Sequence, residues 1–124
     1  MAGAIVFTEV LLGTMKKITG EWTSDAAGDA QGTTTSYYSG EIAAFSTIPN
    51  PDADTGFWPT DNYDIVGRDN EGFDVIAAGG VDRDVSGEEA VSDTVLGAIC
   101  HSQITFTVTN AGAVNYGKFA AWIR

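Results

Sequence analysis

Apolar and polar positions alternate with a period of two at the C-terminal end, where Ile104, Phe106 and Val108 interleave with Thr105, Thr107 and Thr109. One apolar face and one polar face is the pattern of a half-buried β-strand. Asn110-Ala111-Gly112 then supplies a short turn, with a glycine free to take positive φ, and predicts a last strand running back beside the first. At the other end Ala4–Leu12 and Met15–Thr23 read as two strands broken at Gly13-Thr14. The second sets Ile18, Gly20 and Trp22 against Lys17, Thr19 and Glu21, one face in and one out. Residues 33–38 are rich in β-formers, and residues 40–48 make a further strand.

Between these runs the pattern is punctuated by turns. Residues 25–32 form a loop of small residues, and residues 49–59 form a longer Pro/Asp-rich loop carrying adjacent aromatics, Phe57 and Trp58. Residues 62–76 read as a hairpin, with Asp69 and Gly72 at the first and last positions of a type I turn. Residues 86–99 are the one place a helix is expected: Ser86 and Glu89 have capping-box spacing, and Val91, Val95 and Ile99 follow at four-residue intervals. A loop leading into a strand is the other reading there. About eight short strands in one domain spanning residues 1–124, with at most one short helix, imply an all-β fold. A flat single sheet would expose an apolar face, so the strands must form a two-sheet β-sandwich or a closed barrel; jelly-roll topology is one way to do so.

Length and charge narrow the function classes. A chain of 124 residues is long enough to bury a single core. Its 15 glycines suit many strands joined by tight turns. Seventeen acidic against six basic residues give a net charge of −11, which repels phosphate backbones and anionic lipid. Nucleic-acid and membrane partners are therefore not expected, and the charge reads as a solubility device. With Cys100 as the single cysteine there is no intrachain disulfide, and Cys100 is expected as a small buried hydrophobe. The N-terminal apolar run has no basic segment before it and is interrupted by Glu9, so it reads as a strand, not a signal peptide. The product is expected to be made in the cytoplasm and not secreted.

The search for chemistry returns little. His101 is the only histidine and adjoins Cys100, but neighbouring side chains of an extended strand point to opposite faces. No catalytic residue is assigned. One Cys and one His are too few for a zinc site. Asp69, Glu71 and Asp74 around Gly72 have a spacing loosely like a calcium loop, without the closing Glu; water-facing turn carboxylates are preferred, and neither a metal nor a cofactor is assigned. Asp52 with Asp54, and Asp82 with Asp84, are loop pairs with nothing to split their acidities. Trp22 and Trp122 lie in strand patterns and are expected in the core. Phe57 and Trp58 are the expected partner contacts, either anchoring a protein or stacking on a sugar.

From Gly40 onward the runs GEIAAFSTIP, PTDNYDIVGRDNEGFDVIAAGGVDRD and ITFTVTNAG, with a closing strand ending in WIR, resemble small structural proteins encoded in the head-gene region of tailed phages. That resemblance implies a non-enzymatic capsid decoration (cement) protein, commonly trimeric, whose partner is the major capsid protein and whose location is the virion surface. Such a role needs repeated contacts and symmetry, and no cofactor. The N-terminal segment, residues 1–10, could add itself to a neighbour's sheet edge. A tail or connector component is a variant of this reading. The rival class is a carbohydrate-binding or lectin-like β-sandwich that uses Phe57 and Trp58, with calcium at Asp69, Glu71 and Asp74.

Overall fold

Both N-terminal runs form strands with the expected bounds, β1 (Ala4–Leu12) and β2 (Met15–Thr23), joined through Gly13 at φ 66°. The computed structural model describes residues 3–49, 63–76, 89–92, 96–113 and 115–124. Its other strands are β3 (Ala30–Thr33), β4 (Tyr38–Pro49), β5 (Asp64–Arg68), β6 (Glu89–Ser92), β7 (Ala98–Ser102), β8 (Thr105–Thr109) and β9 (Tyr116–Ile123). The protein is all-β. Its strands lie in the order β5-β8-β3-β1-β2-β9-β4-β6, with β7 on the first half of β4. The two walls facing the core are therefore parts of one sheet that curls on itself.

Three local expectations change. Strand β3 ends at Thr33: Thr34 N–H still donates to the Ile104 carbonyl (2.9 Å), but the return bond from Ile104 N–H goes to the Thr34 hydroxyl (3.1 Å), which donates to the Ser36 carbonyl (3.1 Å). Where a helix was considered, Glu89–Ser92 instead pairs antiparallel with Ala44–Thr47 of β4, and the chain re-enters the sheet at Ala98. A helix that short is marginal, whereas an open strand edge satisfies the same backbone groups at once. The last two strands do not form a hairpin either. Strand β8 pairs with β3 and β5, while β9 pairs with β2 and β4. The turn between them is held by Ser24 and Gly28: Ser24 Oγ donates to the Gly112 carbonyl (2.6 Å) and accepts from Asn115 N–H (2.8 Å), and Ala111 N–H donates to the Gly28 carbonyl (3.1 Å). That fastening carries the chain across to the opposite wall.

Single backbone segments close the curl where strands run out. Val75 N–H donates to Gly67 of β5 (2.8 Å), Gly97 N–H donates to Val75 (2.9 Å), and Ile42 N–H of β4 donates to Gly97 (3.0 Å). Two non-strand residues thus bridge β5 to β4 across the seam.

The curl encloses one apolar cluster built around aromatic rings. Phe119 lies 4.5 Å from Phe106, 5.8 Å from Phe45 and 6.3 Å from Phe7 between ring centroids. These rings rest on glycines of adjacent strands. Phe119 is paired with Gly20, Trp22 with Gly117 and Phe106 with Gly67, and a Cβ at any of the three glycines would run into the ring. The large side chain of one strand fills the space its partner leaves empty.

The tip of the β1–β2 hairpin is tied back to β4. The hydroxyl of Tyr38 donates to Glu9 Oε2 at 2.7 Å, and the Lys16 ammonium sits 5.5 Å from the Tyr38 ring centroid. Burial, reinforced by the neighbouring Glu9 carboxylate, pushes the Tyr38 phenol up to about 12 from its ordinary 10.0.

Two predictions follow from this packing. Gly117→Ala destabilises the protein by about 2 kcal/mol in urea unfolding, because Trp22 is buried against Tyr63 (5.6 Å) and cannot retreat; unchanged or raised stability would show that the ring is not seated there. Because the folded-state pKa of Tyr38 is raised, its contribution is complete below pH 10 and disappears as the pH rises toward 12. The stability gap between the parent and Tyr38→Phe accordingly narrows from pH 9 to pH 12, by about 1 kcal/mol once the solvent screening of exposed Glu9 is allowed for, and a constant gap would refute the coupling.

Candidate interaction surface

Strand β1 is apolar on both faces, and only one of them meets the core. Ile5 and Phe7 pack against the buried cluster. The opposite face carries Val6, Thr8 and Val10, paired across the hairpin with Glu21, Thr19 and Lys17. Val6 is 67% exposed and Val10 46%, and Leu11, at the tip where the inner face runs past the core, is 68% exposed. Strand β2 continues into β9 and the sheet, but β1 meets β3 at a single parallel pair, Ala4↔Gln31. From Val6 to Leu12 the outer edge of β1 pairs with none of the described residues.

The electrostatics of this arm differ from those of the rest of the chain. Its four charges, Glu9, Lys16, Lys17 and Glu21, cancel, so the whole net charge of −11 resides in residues 25–124. Both lysines lie over aromatic rings: Lys16 over Tyr38, and Lys17 5.4 Å from the ring centroid of Trp122. Trp122 was expected in the core with Trp22, yet it is half-buried on the outer face, because Gly117, Phe119, Ala121 and Ile123 take the inward positions of β9. Trp22 is in the core as expected.

The residues singled out for chemistry fall elsewhere. Phe57 and Trp58 lie outside the described residues, as do Asp52, Asp54, Asp82 and Asp84. The Asp69 carboxylate accepts from the N–H groups of Glu71 (2.9 Å) and Phe73 (3.0 Å), and Asp74 accepts from Ile76 N–H (3.1 Å). These acids shape their own turns, and they are not gathered around a common point: among the described residues no three His, Cys, Asp or Glu side chains converge as metal ligands.

Cys100 is exposed, contrary to its expected burial. Pairing of β4 with β7 slips between Tyr38 and Gly40, and His101 there takes φ 43°, a bulge that breaks strict alternation and leaves Cys100 and His101 both outside. His101 stacks on exposed Tyr37, with ring centroids 5.1 Å apart and planes at 27°.

A shallow groove of about 410 Å³ lies at the β3–β8 side of the sheet, bordered by Asp25, Asp29, Gln31, Thr107 and Thr109 and floored in part by Gly3 and Ala30. Asp25 caps the adjoining turn, accepting from Ala27 N–H (2.9 Å) and Asp29 N–H (3.0 Å). The bond from Asp29 is the main reason its carboxyl is held below the usual 3.8. Its first role is to hold the loop.

The N-terminal segment offered in the sequence as a contact strand, residues 1–10, overlaps this exposed strand, and residue order carries a further signal of its exposure. The run AIVFTEVLL lacks the clean apolar/polar alternation of a strand with one solvated face.

No protein-family model matches this chain, and neither does any curated protein sequence. Solved structures give distant likenesses. One is a low-affinity xylan-binding module, CBM86, from Roseburia intestinalis, at 9% identity and TM-score 0.41, covering 97% of this chain and 84% of that one. Another is a cupin domain from Bordetella pertussis Tohama I, at 10% identity and TM-score 0.34, covering 100% and 97%. At these TM-scores neither likeness fixes a common topology.

Proposed function

We propose that this chain is a non-enzymatic structural subunit of a virion: a decoration protein that binds the outside of a tailed-phage head and braces its major capsid subunits as a homo-oligomer. The observation that carries the reading is the β1–β2 hairpin, whose outer edge pairs with none of the described residues from Val6 to Leu12, with exposed Val6, Val10 and Leu11 and no net charge. Such a surface suits protein contact, while the strongly acidic remainder keeps the subunit soluble and away from nucleic acid and lipid. The sequence resemblance to phage head-region proteins, carried by turn and strand motifs from Gly40 onward, points to the same role.

A second reading, a carbohydrate-binding module, is favoured by the exposed Tyr37–His101 stack and by the groove beside Asp25 and Gln31. Rings with an open face take sugars, and carboxylates and amides take their hydroxyls.

One experiment separates the two. Purified protein is mixed with undecorated tailed-phage head shells, and in parallel with insoluble xylan, cellulose and chitin, and each mixture is sedimented. The decoration reading expects saturable co-sedimentation with the shells and none with the polysaccharides. Protein that stays in the shell supernatant and pellets with a polysaccharide, less so after Tyr37→Ala, overturns it in favour of the binding module.

A further inference from the structure

Unpaired strand edges are normally protected by a proline, an outward lysine, a bulge or a covering segment, because an open row of N–H and C=O groups invites another strand. Among the described residues, the outer edge of β1 has none of these over Val6–Leu12. Its register with β2 runs unbroken through nine pairs, with no proline. Its one charged residue, Glu9, is engaged by the Tyr38 hydroxyl at 2.7 Å. Side chains along it are also exposed: among the described residues, three of the five exposed large hydrophobics, Val6, Val10 and Leu11, belong to this strand.

The strand is complementary to itself. In antiparallel pairing about a two-fold axis at Thr8, Val6 of one copy meets Val10 of the other, Thr8 meets Thr8, and Val10 meets Val6. β-branched neighbours directly opposite each other are favourable cross-strand pairs. On the same face the β2 partners of Val6 and Val10 are Glu21 and Lys17, so each row across the joined sheet ends in one acid and one base. The charge distribution selects the same meeting place. Two chains of charge −11 repel wherever residues 25–124 approach, and the neutral arm is where that cost is least.

We infer that two copies of this chain associate through antiparallel pairing of their β1 edges, joining two curled sheets into one continuous sheet around a two-fold axis at Thr8. The contact is isologous and therefore closes at two subunits. This departs from the trimer that the phage resemblance implies, and it depends only on the arm, whatever the assembled subunits go on to bind.

The native mass of the full chain, by light scattering after size exclusion, tests this together with two variants. The parent is expected at twice its 13.0 kDa. Thr8→Lys sets two ammonium groups against each other on the axis and weakens association at least tenfold, with the circular dichroism spectrum unchanged. Thr8→Cys, made with Cys100→Ser to remove the exposed thiol, cross-links to a dimer under mild oxidation. A parent that is monomeric or trimeric overturns the inference. So does a dimer whose mass survives Thr8→Lys while Thr8→Cys fails to cross-link, because the contact then lies elsewhere. If Thr8→Lys does not fold, the cross-linking result decides alone.

Discussion

A ring can lie flat on a neighbouring strand only if the residue beneath it has no side chain, and this requirement organises the protein. Strands β2 and β9 exchange the arrangement, each contributing one ring and one glycine: Trp22 over Gly117, and Phe119 over Gly20. Phe106 over Gly67 repeats it on the other wall. Each pair removes bulk where the sheet must bend and supplies it where the core must be filled. The glycines that a sequence reading assigns to turns thus serve in part as strand-interior seats for aromatic groups. Phe119 then reaches Phe7, Phe45 and Phe106, so the core is one cluster shared by both walls.

Closure depends on that curl. Bent sharply enough, β5 and β4 come within reach of two intervening backbone segments, and Val75 and Gly97 satisfy groups that a flatter sheet would leave open. The same geometry puts β8 and β9 on opposite walls. A buried hydroxyl, that of Ser24, accomplishes the crossing by fastening Gly112 and Asn115 at once. Local turn chemistry alone would have paired these strands directly.

The β1–β2 arm is what the curl leaves over. Its inner face is covered only as far as the aromatic cluster extends, near Phe7, and beyond it the strand must be held by something other than core packing. The Tyr38–Glu9 hydrogen bond, in a partly desolvated setting, supplies that hold at the cost of presenting apolar side chains to water. A hairpin without net charge whose outer edge pairs with none of the described residues from Val6 to Leu12 has the properties of a contact element. The proposed role on a virion surface draws on this element and not on any catalytic group.

Much of the fold was legible in the chain itself. The period-two pattern placed β2 and β8, because one solvated face and one buried face leave a direct imprint on residue order, while β1 and the last strand were read from the turns that bound them. Asn110 at φ 60° and Gly112 at φ 79° confirm the turn read from their residue types, since few others adopt such backbone angles without strain. The acids at Asp69 and Asp74 were likewise correctly read as turn residues, their carboxylates capping N–H groups a few positions on. What the sequence could not state was which strands would lie side by side: the separation of β8 from β9, the conversion of 89–92 into an edge strand, and the bulge that brings Cys100 to the surface all depend on partners distant in the chain. The candidate contact surface belongs to this second group. Residue order shows that β1 is apolar on both faces, but only the limited reach of β3 and of the aromatic core decides that one face and one edge stay uncovered by the other described residues, because burial belongs to the assembled neighbours and not to the strand.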